Sequence, residues 1–195
     1  MEILLGVDIE SVELPETATE ATSREERATA WAEMTERMAE VLDALLNSPV
    51  YGRGVKGRDK APRTHGVYLF SESGEHLYVG RTGRTERSVK AGKQSASGFR
   101  ARLAGHSAPG AGLSSASFAL RLAMGMAANE RLDVPAKRSD RLDNERFAQL
   151  LTEAKERITA MDFRVVEIED DRESAVFEVY AAFVLATLYN SFATS

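Results

Sequence analysis

Cysteine is absent from the 195 residues of this chain, which excludes disulfides, zinc–thiolate centres and cysteine nucleophiles. Histidine is scarce too, at three residues, so a zinc site built on imidazoles is not expected. No run approaches the roughly 18 apolar residues that crossing a bilayer takes, and no membrane partner is expected. The opening stretch "MEILLGVDIE" is acidic and has no basic n-region, so it does not read as a signal peptide. These absences together lead to the expectation of a cytoplasmic protein.

What is present fits a globular chain. A hydrophobic content of 43% beside 28% charged residues excludes a disordered polyelectrolyte, and the length suits one compact domain with an extension. The net charge of −5 argues against indiscriminate binding of polyanions, but its distribution argues the other way. Residues 1–50 carry 3 basic and 12 acidic side chains, whereas residues 51–106 carry 12 basic and 4 acidic. Charges further apart than about 8 Å are screened at physiological salt, so a polyanion approaching the middle segment would feel the local excess.

Ser23 and Glu26 form a capping-box pattern and predict a helix of about 24 residues. Ala28, Trp31, Met34, Met38, Val41, Leu42 and Leu45 recur along it at helical spacing, as a core face or a seam for a partner; Trp31 reads as a packing residue. A loosely alternating stretch within residues 1–13 reads as a short strand, and 52–64 as a basic linker. Two strands, "GVYLF" and "HLYVG", follow, with Gly74 serving the turn between them. Residues 83–97 form a basic excursion, and a helix resumes near Phe99. Further helices are expected from Ser115 to Met126 and from Asp143 to Thr159, then a strand "DFRVVEIED". A last helix capped by Asp170 or Asp171 is apolar on nearly every side, which predicts burial all round.

The clusters Gly66-Val67-Tyr68 and Tyr78-Val79-Gly80 lie one hairpin apart. Neighbouring antiparallel strands can present both tyrosines on one face. Downstream, Arg102 and His106 are one helical turn apart, and Glu178 precedes Asn190 by twelve residues, with Tyr189 directly before Asn190. In this order the elements resemble the GIY-YIG nuclease family over residues 65–193. Three departures stand out: the basic insertion after Tyr78, Thr187 where many members have proline, and Arg81 where lysine or glutamine is common. The predicted elements and the resemblance together imply an α+β fold, a small antiparallel or mixed three-stranded sheet flanked by helices. Residues 1–60 would be a helical extension and basic linker, and 61–195 the catalytic domain.

The chemistry that the resemblance implies is phosphodiester hydrolysis in DNA. Tyr68 would be general base for the attacking water; a nearby metal and guanidinium groups would push its phenol below the usual pKa near 10. Arg102 would clamp the scissile phosphate, Tyr78 and His106 would hydrogen-bond the phosphate or the water, and Asn190 would brace the last helix. Glu178 is the one carboxylate in the middle of an apolar helix. A divalent cation, Mg²⁺ or Mn²⁺, relieves the cost of burying it, and an ion pair to an arginine such as Arg102 is the alternative. Arg81, Arg84, Arg87, Lys90, Lys93 and Arg100 would follow the DNA backbone. The expected activity is that of a metal-dependent endonuclease of restriction or stand-alone bacterial or phage type. Cutting both strands would call for a homodimer, with the N-terminal helix as candidate seam. The competing reading is a non-catalytic DNA- or protein-binding module on a nuclease-like fold. His65 and His76 read as ordinary polar residues, His76 pointing to solvent.

Overall fold

The computed structural model describes residues 23–51, 60–62, 64–82, 98–107 and 117–190. The expected strand within 1–13 and the basic excursion at 83–97 lie outside these residues, as does most of the 52–64 linker. Helix α1 (Arg24–Asn47) starts at the capping box: Ser23 Oγ accepts from the Glu26 amide at 3.1 Å, and Glu26 Oε2 accepts from the Ser23 amide at 2.6 Å. The chain divides into compact units Met1–Arg37 and Met38–Ser195, a boundary inside this helix. In the first unit the described helical residues are all exposed, Trp31 at 66%, so the tryptophan is not the packing residue its place in the stripe suggests. In the second, Met38, Val41, Leu42 and Leu45 are buried.

That second unit is built on a hairpin of β1 (Gly66–Glu72) and β2 (Glu75–Thr82). Ser73 and Gly74 join them with φ of 53° and 85°, the pair of left-handed residues that a two-residue turn matched to strand twist requires. With β3 (Asp162–Glu167) the strands form an entirely antiparallel sheet, β2-β1-β3, and the fold is α+β. The central strand comes so close to β3 that a Cβ on Gly66 would stand 2.1 Å from the Val166 carbonyl oxygen. Only glycine fits there, at a φ of 149°.

Period-two alternation sorts β1 between two apolar layers. Val67 and Leu69 join Val79, the buried end of α1 and Phe177 and Ala181 in one cluster. Tyr68 and Phe70 join Tyr78, Phe99, Phe118, Phe147 and Phe163 in the other. This second layer is supplied by α2 (Phe99–Ser107), α3 (Ser117–Asn129) and α4 (Glu145–Ala160). Helix α4 is capped by Asn144, whose side chain accepts from the Phe147 amide at 3.0 Å; Asp143, the expected cap, instead ends a 3₁₀ turn. Helix α3 runs to Asn129 rather than Met126.

The last helix, α5 (Asp171–Val184), is capped by Asp170, which accepts from the amides of Arg172 and Glu173. It is not buried all round. Phe177, Ala181 and Ala182 face inward, while Val176, Val179, Phe183 and Val184 are exposed, Phe183 at 83%. One three-stranded sheet covers one side of a helix, and hydrophobicity alone cannot say how many sides will be covered. Among the described residues no helix is long and apolar enough to cross a membrane.

Candidate active site at the edge of the sheet

The near-palindrome of the two clusters becomes a contact in the sheet. Tyr68 pairs with Gly80, and Tyr78 with Phe70. A Cβ on Gly80 would stand 2.4 Å from the Tyr68 hydroxyl and 2.5 Å from Cζ. The phenol therefore lies across the glycine, and the missing side chain on the edge strand lets its hydroxyl reach the rim of the sheet. Tyr78 stacks on Phe118, with centroids 4.6 Å apart and planes at 8°, which holds it beside Tyr68.

At that rim opens a cleft of about 260 Å³ lined by Tyr68, Tyr78, Arg81, Arg102, Ser117 and Glu178. They come from β1, β2, α2, α3 and α5 and span more than a hundred residues of sequence. Arg81 Nε lies 3.1 Å from Glu178 Oε2, so the arginine that pairs with Glu178 is Arg81, not Arg102. Arg102 is exposed, and its guanidinium has no hydrogen-bond or ion-pair partner among the described residues. Burial raises the Glu178 carboxyl above its ordinary pKa and outweighs Arg81 and Arg102, which lower it.

Behind the cleft, the Tyr68 hydroxyl is 2.8 Å from His106 Nε2. His106 is 1% exposed, and its Nδ1 has no partner among the described residues. Burial, helped by the Arg102 guanidinium, pushes its pKa down to about 4, so the imidazole is neutral at pH 7. The Tyr68 phenol moves the opposite way from the sequence expectation. Burial raises it well above 10, Tyr78 and Glu178 push the same way, and Arg102 opposes them without prevailing. In the free protein Tyr68 is therefore a protonated phenol. Tyr78 in turn lies 3.4 Å from Ser117 Oγ.

The His106 shift has a measurable consequence. Above pH 6.5 the imidazole is neutral in folded and unfolded chains alike. Between 6.5 and about 4 only the unfolded chain takes up the proton, so stability falls as the pH falls. From pH 7 to pH 5 this residue alone should cost about 2 kcal/mol. Denaturant unfolding of the His106→Gln variant should lose about 2 kcal/mol less over that interval than the parent; equal losses would refute the assignment.

Asn190 does not line the cleft. Its Oδ1 accepts from the Val79 amide at 2.8 Å, and its Nδ2 donates to the Val79 carbonyl at 2.7 Å, so its side chain caps the free edge of β2. Thr187, where the resembled family often has proline, donates to Asn190 Oδ1 at 2.8 Å and holds the amide in place. Of the residues expected to follow a DNA backbone, Arg81 is tied to Glu178, and Arg100 donates its Nε to the Ala61 carbonyl at 2.6 Å. Arg84, Arg87, Lys90 and Lys93 lie outside the described residues. His76 does not simply face solvent: its Nδ1 is 3.0 Å from Ser71 Oγ. Ser117 carries no signal in the sequence; it reaches the cleft because Phe118 beside it stacks on Tyr78.

Comparison of the chain with family models, with curated proteins and with solved structures finds no match. The functional reading rests on the cleft itself. A divalent cation is compatible with its oxygen donors. No group of three or more His, Cys, Asp or Glu converges among the described residues, which leaves Glu178 as the single carboxylate lining the cleft. Mg²⁺ and Mn²⁺ suit such a set, because Mg²⁺ keeps several waters and takes one or two carboxylates together with substrate oxygens.

Proposed function

We propose that this protein is a metal-dependent DNA endonuclease of the GIY-YIG type, acting in the cytoplasm as a restriction-type or stand-alone bacterial or phage enzyme. The observation that carries the reading is the convergence of two phenols, two guanidiniums and one half-buried carboxylate on one small cleft. Two guanidiniums against one carboxylate leave these charged side chains at +1, a match for the single charge of a phosphodiester.

The free guanidinium of Arg102 takes the non-bridging oxygens of the scissile phosphate, where charge grows as the water attacks. The hydroxyls of Tyr78 and Ser117 hold the phosphate or the water. Because Tyr68 is protonated in the free site, it cannot act as a preformed base. Its proton passes to His106 Nε2 as it accepts one from the water; the water oxygen bonds to phosphorus, and the departing oxygen is protonated from solvent. Burial is the larger cause of His106 neutrality; the incoming phosphate, lying beside Arg102, offsets the lesser part that the guanidinium contributes. Glu178 would hold the divalent cation, whose contribution when bound is positive charge against the phosphate. Cleavage of both strands takes two clefts, so the proposal includes a homodimer, with the exposed Ala28, Trp31 and Met34 of α1 as its seam.

Incubation of supercoiled plasmid with the protein and Mg²⁺ or Mn²⁺ should yield discrete linear bands, and Tyr68→Phe should abolish them. Nicked circles alone would point to a monomer acting on one strand. Binding without cleavage on unmodified, modified and branched DNA would reject the enzyme in favour of the non-catalytic binding module.

A further inference from the structure

The residue that holds Glu178 in the free protein is itself a cation. Arg81 projects from β2 and Glu178 from α5, and their contact at 3.1 Å joins a side chain 38% exposed to one 23% exposed. A divalent cation on Glu178 would have to share the carboxylate with this guanidinium or displace it. The charge of the cleft decides against sharing. With Arg81, Arg102 and Glu178 the cleft stands at +1, and a divalent cation alone would take it to +3. A phosphate changes this, because its two non-bridging oxygens offer a guanidinium a second doubly accepting partner.

We propose that Arg81 is a positioning residue that makes cation and phosphate binding at this cleft mutually dependent. It occupies Glu178 in the free protein, opposes a divalent cation there, and moves to the phosphate when nucleic acid arrives. This rests on the reading of Glu178 as the cation ligand. By linkage, a cation that eases phosphate binding must itself bind more tightly in the presence of phosphate, by the same factor. A nuclease with this arrangement carries little bound metal until its substrate is in place.

The test is a titration of the full-length chain with Mn²⁺, following free Mn²⁺ by electron paramagnetic resonance, with and without a short mixed-sequence DNA duplex. Without DNA, Arg81→Gln should bind Mn²⁺ about tenfold more tightly than the parent. Arg81→Lys, which keeps the charge, should match the parent. The duplex should tighten Mn²⁺ binding to the parent and add little to the Arg81→Gln variant. Equal or weaker binding by Arg81→Gln, or no measurable binding in any variant, would overturn the coupling. Glu178→Gln separates the two levels of the argument: it should lose the Mn²⁺ site, and Mn²⁺ binding that survives it would overturn the ligand assignment on which the coupling stands.

Discussion

Glu178→Gln should lower DNA cleavage a hundred- to a thousandfold, the range for removing a preorganised electrostatic group from a reaction centre, without lowering thermal stability at pH 7. The two halves of this expectation have one cause. Burial raises the Glu178 carboxyl above its ordinary value even with Arg81 and Arg102 nearby, so ionising this group costs more in the folded chain than in the unfolded one. Stability from this group is present below the unfolded carboxyl's pKa and is lost as the pH rises through the raised folded value. An amide has no charge to lose, so at pH 7 the variant should be as stable as the parent or more so, and at pH 4 the difference should shrink. Arg81, 38% exposed, can recover water when its partner is neutralised. Thermal unfolding at both pH values beside a plasmid assay checks the pair. A variant that loses more than about 1 kcal/mol together with its activity would make Glu178 a structural residue, since a group kept for function commonly costs stability.

The elements that could be read from the sequence are those whose determinants are local. The Ser23–Glu26 box, the Gly74 turn and the Asp170 cap each depend on residues within about one turn of one another. Asp143 and Asn144 are both good caps, and their side chains cannot be ranked without knowing where the 3₁₀ turn before them ends. What could not be read depends on three-dimensional closure. The Arg81–Glu178 pair joins a strand on one side of the chain to a helix 97 residues later across the sheet rim, and no spacing rule connects them. The pKa of Tyr68 depends on how completely its ring is buried among Phe70, Tyr78, His106 and Phe163, because burial outweighs the guanidinium that the sequence made visible. The exposed stripe of α5 is the same lesson in packing: Val176, Val179 and Phe183 look like core residues until the sheet proves to cover only the opposite side.

Gly80→Ala should destabilise the protein by about 3 kcal/mol and abolish cleavage, although alanine suits a strand better than glycine does. The backbone at Gly80 is ordinary; the obstacle is the Tyr68 ring, with hydroxyl, Cζ and Cε2 at 2.4, 2.5 and 2.8 Å from the added Cβ. The ring is 2% exposed and lies within 6 Å of Phe70, His106 and Phe163, centroid to centroid. On those sides it is packed, and the open space beside it is the cleft beyond its hydroxyl. Either the β1–β2 pairing opens or the hydroxyl leaves His106, whose Nδ1 is already without a partner among the described residues. Overpacking costs about 1–3 kcal/mol, and a newly orphaned buried group about 1–3 more. A double-mutant cycle identifies the cause. In a Tyr68→Val background no ring lies over residue 80, so adding the methyl group there should cost less than about 1 kcal/mol, a coupling of about 2 kcal/mol or more between the two positions. Equal costs in both backgrounds would mean that Gly80 serves the β2 backbone and not the tyrosine. If the coupling is found, the glycine of the second cluster and the tyrosine of the first act as one device: an edge strand left bare so that a buried phenol can reach the cleft.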